Sequence, residues 1–279
     1  MIIQDVINDA SKKLRENKIS SHIIDAELLL SNLMSVPREF LILNGNKLVT
    51  PEINNKYKKF VKRRINNEPV AYIIGKKEFW STDFIVNKST LVPRPETELL
   101  IYKIIKFFKN KKINVLDIGT GSGCILLSIL KELVYSRGIG IDISKMTIRT
   151  AIENSKRLKV SNRVRFKAVD INEFNEGKYD LIVSNPPYIP TKDLKKLTKD
   201  IVNYEPIVAL NGGKDGLDLI KKVIYKSVKL LKKNGLLAIE IGNKQYTKIS
   251  NILIKNGFKE IGRECDYNKN IRCIISTKL

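Results

Sequence analysis

The sequence predicts an α/β protein whose mainly parallel sheet is covered by helices on both faces, with a small all-helical domain ahead of it. From residue 113 to residue 242, short apolar runs alternate with amphipathic helical segments, the pattern of parallel strands joined by crossover helices. Residues 1 to 75 instead have apolar side chains at helical spacing, with few β-branched runs. At 279 residues, the chain is long enough for one large domain or for a medium domain with a small one.

The first part of the chain is predicted to form a small bundle of helices. Apolar residues recur at helical spacing in DVINDASKKLRENKI, SHIIDAELLLSNLMSV and INNKYKKFVKRRINNE. We expect Asp25 to lie in the capping region of the second helix and Pro37 to terminate that helix.

A change of pattern follows at residues 76 to 92. The stretch KKEFWSTDFIVNKSTLVP is aromatic, β-branched and roughly alternating, which indicates a short hairpin or an extended linker. The predicted organisation is therefore a helical domain at 1–75, a hairpin or linker at 76–92 and an α/β domain at 93–279.

The α/β domain begins with a loop that opens an amphipathic helix, in PRPETELLIYKIIKFF. Strands are then predicted at 113–119, 137–143, 164–171, 179–185 and 236–242, with helices at 124–133, 145–158 and 216–235. Gly235 is predicted to cap the last of these helices. The tail predicts a helix near 244–256 and two strands, FKEIGREC and IRCIIST. Ligands bind such sheets at the carboxyl ends of the strands, where the strand order reverses.

Neither a membrane span nor a secretory signal is predicted. No apolar run approaches the roughly 18 residues that a membrane helix needs. The N-terminus, MIIQDVINDASKKLREN, contains acidic residues and no cationic start before an apolar stretch. We therefore expect a cytoplasmic protein that does not contact a membrane.

The cysteines and the single histidine limit the possible chemistry. Cys124, Cys265 and Cys273 form no C-x-x-C pair, so we expect reduced structural thiols rather than disulfides or a metal site. Cys265 and Cys273 could be neighbours on paired strands. His22 is the only histidine and is far in sequence from every motif described below, which argues against catalysis by imidazole.

The net charge of +22 has two possible explanations. A basic surface could bind nucleic acid. Alternatively, the excess of lysine, with plentiful isoleucine and asparagine, reflects an AT-rich coding sequence and lies on solvated faces. The lysines are scattered along the chain, which favours the second explanation and makes nucleic-acid binding the less expected one.

A glycine-rich turn joins a predicted strand to a predicted helix in VLDIGTGSGC, residues 115 to 124. Gly119, Gly121 and Gly123 let the backbone turn sharply and approach a ligand closely. The dinucleotide fingerprint G-x-G-x-x-G is not met, because Cys124 stands at its last position.

Two acidic residues indicate what this turn binds. Asp117 lies two residues ahead of the first glycine, where a carboxylate would repel a pyrophosphate and favour a cationic ligand. S-adenosylmethionine has a sulfonium and an ammonium group and no phosphate. Asp142 ends the next strand, where an acid suits the two hydroxyl groups of a ribose. The motif therefore predicts S-adenosylmethionine as cofactor.

A second motif, SNPPYIP at residues 184 to 190, ends the fourth predicted strand of the sheet. Consecutive prolines remove backbone donors and leave carbonyl acceptors on a stiff segment. The Asn185 side-chain oxygen and the Pro186 carbonyl can each accept one N–H of a planar –NH₂ group, and Tyr188 can stack on its plane. Such an N-P-P-Y loop resembles that of the amino-methyltransferases.

Longer segments narrow the resemblance to one family. EFWSTDFIVNKSTLVPRPETELL, DIGTGSG, SNPPYI, YEPIVALNGGKDGLDLI and the tail EIGNKQ together resemble the release-factor glutamine methyltransferases, the HemK/PrmC family. The resemblance covers nearly the whole chain. It implies a class I S-adenosylmethionine-dependent methyltransferase fold, Rossmann-like, with a mainly parallel seven-stranded sheet in the catalytic domain at 93–279, and a helical N-terminal domain that docks the substrate.

The resemblance also implies roles for individual residues. Asn185, Pro186 and Tyr188 would be catalytic, and these three together with Pro187 would bind the target glutamine. Ile171 would stack on the adenine less well than the aromatic residue of some relatives. Arg94, Glu96 and Glu98 would close the site or only cap a helix and form salt bridges. The residues implied for the cofactor site are Gly119, Thr120, Gly121, Ser122, Gly123, Asp142, Asp170, Ile171 and Asn185.

The implied reaction is methyl transfer to the side-chain amide nitrogen of the glutamine in the Gly-Gly-Gln motif of class I peptide chain release factors, with no metal. Two other functions stay open. An adenine or other nucleic-acid amino-methyltransferase would use the same clamp, although no extra target-reading domain is visible. A non-catalytic protein that binds the translation machinery would not need both an intact glycine turn and an intact clamp.

Overall fold

A computed structural model describes all 279 residues, which divide into two compact units. The first unit contains Met1–Lys76 and Thr198–Tyr204, and the second contains Lys77–Leu197 and Glu205–Leu279. The segment Thr198–Tyr204 falls inside the α/β domain as its bounds were predicted from sequence, but its contacts group it with the first unit. In neither unit is a helix long and apolar enough to cross a membrane.

The first unit consists of helices around one apolar core. Three long helices appear where the spacing predicts them, and two short ones, of six and five residues, were not predicted because they hold too few apolar positions to show a period. Tyr57 fills the centre of the core, and its hydroxyl donates to the Ala26 carbonyl at 2.9 Å. The helices are α1 (Ile3–Glu16), α2 (His22–Met34), α3 (Arg38–Leu43), α4 (Pro51–Ile65) and α5 (Val70–Ile74).

The expected capping role of Asp25 is wrong. α2 begins at His22, and Asp25 lies in its first turn with its carboxylate buried. Asp25 Oδ2 accepts from Ser21 Oγ at 2.8 Å and pairs with Arg64 Nε of α4 at 2.7 Å. A buried carboxylate needs a charged partner, so this residue joins two helices instead of capping one. The helix ends at Met34, and Pro37 follows three residues later, as expected.

The second unit starts with a hairpin, one of the two forms predicted for residues 76 to 92, and with the predicted helix. Strands β1 (Lys76–Phe79) and β2 (Thr82–Ile85) form a two-stranded sheet. Trp80 and Ser81 between them have φ angles of 49° and 51°, the left-handed values that a tight two-residue hairpin turn requires. A single 3₁₀ turn, Pro95–Thr97, then leads into α6 (Glu98–Phe108).

A seven-stranded, mainly parallel sheet forms the rest of the unit, as predicted. Its spatial order is β5-β4-β3-β6-β7-β9-β8, with β3 parallel to both β4 and β6, and β9 antiparallel to its two neighbours. The strand order therefore reverses beside β3. The elements are β3 (Asn114–Ile118), α7 (Cys124–Glu132), β4 (Arg137–Asp142), α8 (Lys145–Arg157), β5 (Val164–Ala168), β6 (Tyr179–Ser184), α9 (Lys199–Tyr204, in the first unit), α10 (Asp218–Leu230), β7 (Leu231–Glu240), α11 (Tyr246–Lys255), β8 (Phe258–Cys265) and β9 (Ile271–Lys278).

The predicted cap at Gly235 is wrong. α10 ends at Leu230, five residues earlier, and Gly235 lies inside β7. Leu231 is buried and already extended, with φ −73° and ψ 143°, because it pairs with Tyr179 of β6. The exposed residues that follow form an irregularity in the strand, where the register with β6 shifts. The burial and strand pairing of Leu231 therefore outweigh the helical propensity of the lysine-rich segment that follows it.

Alternating side chains place one apolar core on each face of the sheet. On β3, Val115 belongs to the core covered by α6 and α7, and Leu116 belongs to the core covered by α10 and α11. Full burial of such a side chain contributes roughly 1.5–3 kcal/mol. All three cysteines are free thiols, and Cys265 and Cys273 lie on the paired strands β8 and β9.

Candidate functional site

A cleft of about 490 Å³ lies at the carboxyl ends of the parallel strands of the second unit. It is bordered by the loops that follow β3, β4, β5 and β6, at the point where the strand order reverses. Its size is that of a site for a small organic molecule. Among the residues that line it are Gly119, Gly121, Asp142, Asp170, Ile171, Asn185 and Pro187.

The glycines of the turn after β3 have two different functions. Gly119 and Gly121 have φ angles of 73° and 57°, and a Cβ at either would meet no atom within 4 Å, so both expose backbone to the cleft. Gly123, with φ 81°, precedes α7, and a Cβ there would lie 3.0 Å from Leu127. Gly123 therefore permits close packing. Thr120 and Ser122 are buried and do not line the cleft.

Asp117 lies beneath the glycine turn and is fully buried. Its Oδ2 accepts from Thr120 Oγ1 at 2.7 Å, and its Oδ1 has no partner in the chain. Burial raises the pKa of the Asp117 carboxyl to about 7, in spite of the Thr120 hydrogen bond, which lowers it. Asp117 thus fixes the turn through its hydrogen bond with Thr120.

Asp142, at the end of β4, is a carboxylate in the wall of the cleft. Its Oδ2 accepts from the Gly121 amide at 3.1 Å and its Oδ1 from the Ser144 amide at 3.0 Å. Burial raises its pKa, and these backbone donors lower it. Each oxygen retains a lone pair, so the carboxylate can still accept from two hydroxyl groups.

Asp170 and Ile171 follow β5 on the same side of the cleft. Asp170 Oδ1 accepts from the Asn172 amide at 2.7 Å, which fixes the loop. Ile171 is mostly buried in the core between the sheet and α10, and its remaining surface faces the cleft. The pair offers one acceptor, which suits the amino group of an adenine, and one apolar surface, which suits the face of its ring.

The N-P-P-Y segment presents one unpaired side-chain acceptor to the cleft. Asn185 Nδ2 donates to Thr97 Oγ1 at 3.1 Å, and no group of the chain donates to Asn185 Oδ1. The Pro186 carbonyl also accepts no hydrogen bond, but Pro186 is buried and, unlike Pro187, does not line the cleft. Asn185 Oδ1 is therefore the acceptor that this segment offers in the wall of the cleft to a ligand with an –NH₂ group.

Tyr188 is placed differently from its expected stacking position. Its ring packs on the core beneath α10, and its hydroxyl donates to Glu240 Oε1 at 3.3 Å. Its carbonyl accepts from Gln245 Nε2 at 2.9 Å. The residue does not line the cleft, so in this structure it anchors the segment.

Two residues beside the site, Thr97 and Glu240, were not predicted. Thr97 Oγ1 donates to Glu240 Oε2 at 2.6 Å, and Glu240 is fully buried at the end of β7. Burial raises the pKa of Glu240 to about 7, while Thr97, Arg272 and Tyr188 lower it. The sequence did contain a signal, since a glutamate inside the apolar strand LLAIEIG demands a specific partner.

The loop before α6 is joined to the segment YEP. Arg94 Nη2 pairs with Glu205 Oε1 at 2.6 Å, and the buried Glu205 also accepts from the Val92 amide at 3.2 Å. Glu98 accepts from the Trp80 amide at 2.8 Å. Arg94 and Glu98 therefore hold neighbouring segments of the second unit in place. Other cleft residues that were not predicted include Ser89, Leu91, Pro206, Val208, Ala209, Asn211, Gly213, Leu219 and Lys222.

The lining of the cleft fits S-adenosylmethionine. Gly119 and Gly121 leave space where any side chain would fill it. Asp142 can accept from ribose hydroxyls, and Ile171 offers apolar surface to a base. Behind the turn, the buried Asp117 carboxyl keeps one oxygen, Oδ1, without a partner in the chain, and its ionised form would favour a cationic ligand.

Family models match both parts of the chain. The PrmC N-terminal domain matches residues 5–75, and a methyltransferase domain matches residues 109–278. A release factor glutamine methyltransferase of Clostridium acetobutylicum is 36% identical, over 100% of this chain and 99% of the relative. One of Buchnera aphidicola is 36% identical over 100% of both chains. A bifunctional methyltransferase of Rickettsia prowazekii is 35% identical over 92% of this chain and 53% of its own length.

Solved structures share the fold at low identity. The hMettl16 catalytic domain, in complex with the MAT2A 3′UTR hairpin 1, has a TM-score of 0.60 and 16% identity, over 90% of this chain and 91% of that one. A methyltransferase from Pyrococcus furiosus has a TM-score of 0.53 and 20% identity, over 78% of this chain and 96% of that one. At these identities the likeness concerns the fold alone.

Proposed function

The chain belongs to the release factor glutamine methyltransferase family, and we propose that it transfers the methyl group of S-adenosylmethionine to a glutamine side-chain amide of a peptide chain release factor. The target is the glutamine of the Gly-Gly-Gln motif of class I factors. The products are N5-methylglutamine, S-adenosylhomocysteine as the leaving group, and one proton released from the amide nitrogen. A substrate that acts on the ribosome makes the cytoplasm the place of the reaction.

The residues around the glycine turn bind the cofactor. S-adenosylmethionine, when bound, supplies a methyl group on a positively charged sulfur. Gly119 and Gly121 give it backbone contact, Asp142 accepts from its ribose, and Asp170 and Ile171 lie beside its base. Gly123, Thr120 and Ser122 act indirectly, because they shape the turn without lining the cleft.

The N-P-P-Y segment positions the target amide. An amide nitrogen is a poor nucleophile because its lone pair is delocalised into the carbonyl. Asn185 Oδ1 and the Pro186 carbonyl accept its two N–H groups, which fixes the rotation of the amide and directs the lone pair at the methyl group. Positioning of this kind needs no imidazole.

The observation that supports this function most is the pair of unpaired acceptors beside the glycine turn. Neither Asn185 Oδ1 nor the Pro186 carbonyl has a partner in the chain. Acceptors from which a bound ligand excludes water are costly to leave unpaired, so the ligand should supply the donors. A primary amide supplies both.

The helical first unit is proposed to bind the body of the release factor. Its surface exposes apolar side chains on two helices: Ile24 and Leu28, one turn apart on α2, and Ile42 and Leu43 on α3. Leu43 is 82% exposed. Clusters of exposed apolar side chains on a soluble domain commonly mark protein interaction sites.

A transfer assay tests the proposal directly. The protein is incubated with methyl-labelled S-adenosylmethionine and, in parallel, a release factor, the same factor with its Gly-Gly-Gln glutamine changed to alanine, and duplex DNA. Label on the unmodified factor alone is the expected result. Label on DNA alone would mean that the clamp binds a base amine, and label on both factors would mean another acceptor residue.

A further inference from the structure

A buried series of hydrogen bonds extends from the amide clamp into the sheet. Asn185 Nδ2 donates to Thr97 Oγ1 at 3.1 Å, and Thr97 Oγ1 donates to Glu240 Oε2 at 2.6 Å. Tyr188 donates to the other oxygen of Glu240 at 3.3 Å. Thr97 is 2% exposed and Glu240 is fully buried. We call Asn185, Thr97, Glu240 and Tyr188 the clamp relay.

The number of protons on each group decides which one donates in each hydrogen bond of the clamp relay. When Glu240 is ionised, its carboxylate has no proton and the Thr97 hydroxyl has one, so the Thr97 proton belongs to the bond with Glu240. The short separation of 2.6 Å is that of a charge-assisted O–H···O⁻ bond. Thr97 Oγ1 can then only accept from Asn185, which must turn its –NH₂ group toward Thr97.

The direction matters because an asparagine amide has two nearly isosteric orientations. Rotation by 180° would bring Asn185 Oδ1 against Thr97 Oγ1 with no proton between them. It would also present –NH₂ to the –NH₂ group of the target, so that donor faces donor. Only the orientation fixed by Thr97 exposes an acceptor to the cleft.

We propose that Thr97 and Glu240 are positioning residues for methyl transfer, which lock the Asn185 amide with its oxygen toward the target. The inference rests on the proposed function. Neither residue lines the cleft, so both act through Asn185 and not on the reacting atoms.

The protonation state of Glu240 is part of this arrangement. The groups that face Glu240 are Arg272 and Cys273 from β9, Glu96 and Thr97 from the turn before α6, Tyr188, and Cys124 at the start of α7. Burial raises the pKa of Glu240 to about 7. Below that pH a protonated Glu240 can donate to Thr97, whose own proton can then point at Asn185 and favour the wrong orientation.

The test compares three hydroxyl variants in the full-length protein. Thr97→Val removes the hydroxyl at nearly constant volume, and Thr97→Ser keeps it. Thr150→Val is the matched control, because the buried Thr150 also accepts from an asparagine, Asn87 Nδ2 at 2.9 Å, without lining the cleft. For each, kcat with a release factor, the Kd for S-adenosylmethionine and the thermal midpoint are measured.

Thr97→Val is expected to lower kcat by roughly 10- to 100-fold, the range for loss of a group that orients a functional residue from behind, with cofactor affinity unchanged. Thr97→Ser should stay within about fivefold of the native rate, by the same argument, and Thr150→Val should change the thermal midpoint but not kcat. A folded Thr97→Val protein that binds cofactor and turns over at the native rate would overturn the inference.

A double-mutant cycle separates positioning from general disturbance. In an Asn185→Ala background there is no amide to orient, so Thr97→Val should have no further effect on the single-turnover rate. An equal fold-loss in both backgrounds would contradict the relay. Failure of the native protein to methylate any release factor would instead refute the proposed function, and is therefore a distinguishable result.

Discussion

Replacing Glu240 with glutamine should stabilise the second unit relative to the native protein, and this gain in the free energy of unfolding should be larger at alkaline pH than at acidic pH. Glu240 is fully buried, and its pKa lies near 7 in the fold instead of 4.5. A raised pKa means that the folded state holds its proton more tightly than the unfolded chain does. Stability is therefore lost as the pH rises from about 4.5 through 7, while glutamine has no proton to lose.

The magnitude follows from the two pKa values. At 1.36 kcal/mol per pKa unit, the interval from 4.5 to about 7 corresponds to roughly 3 kcal/mol. The free energy of unfolding of Glu240→Gln, minus that of the native protein, should thus rise by about 3 kcal/mol between pH 4.5 and pH 8. Asp117 has a similarly raised pKa, but it is present in both proteins and cancels in the difference.

The single tryptophan makes the measurement specific. Trp80 lies in the second unit, packed against the core beneath α6, so its fluorescence reports unfolding of that unit. Urea unfolding is followed at several pH values without cofactor. A difference that stays constant within about 0.5 kcal/mol, the error of additive comparisons, would refute the assignment of a buried, titrating carboxylate.

Three further changes test the cleft and the docking surface. Asn185→Ala should lower kcat by about 10²- to 10³-fold, since a positioned acceptor is lost, while calorimetry shows cofactor binding within a few-fold of native. Gly121→Ala should weaken cofactor binding by at least about tenfold, because φ of 57° strains an alanine and its Cβ would enter the cleft, and an unchanged Kd would contradict the assigned contact. Leu43→Glu should raise KM for a release factor about fivefold with little effect on a short Gly-Gly-Gln peptide, given the exposed position of Leu43, and equal effects on both substrates would argue against docking there.

Local sequence signals predicted the elements that bring the cleft together. The glycine turn, the acid after β4 and the N-P-P-Y segment each end a strand, and parallel pairing brings those ends to one edge. Period and breaker residues also predicted the hairpin and both tail strands. Each of these features is encoded within about ten consecutive residues.

What the sequence could not predict depends on distant partners. Thr97 and Glu240 are 143 positions apart, and only the folded sheet makes them neighbours. The end of α10 was missed because Leu231 is extended by pairing with Tyr179 on another strand. Asp25 likewise has its partner, Arg64, 39 residues away. Local propensity contains no information about such pairs.

The two loops that form the cleft are supported by the same arrangement. Behind the glycine turn, Thr120 donates to Asp117 at 2.7 Å, and behind the clamp, Thr97 donates to Glu240 at 2.6 Å. Both carboxylates are fully buried and both have a pKa near 7, so each destabilises the fold when ionised. An apolar residue at either position would be expected to raise stability. Each carboxylate nevertheless accepts a hydrogen bond from a threonine hydroxyl, which fixes the conformation of a loop through the direction of that bond. The two buried carboxylates therefore lower the stability of the fold, and the same two groups fix the loop that binds the methyl donor and the loop that binds the target amide.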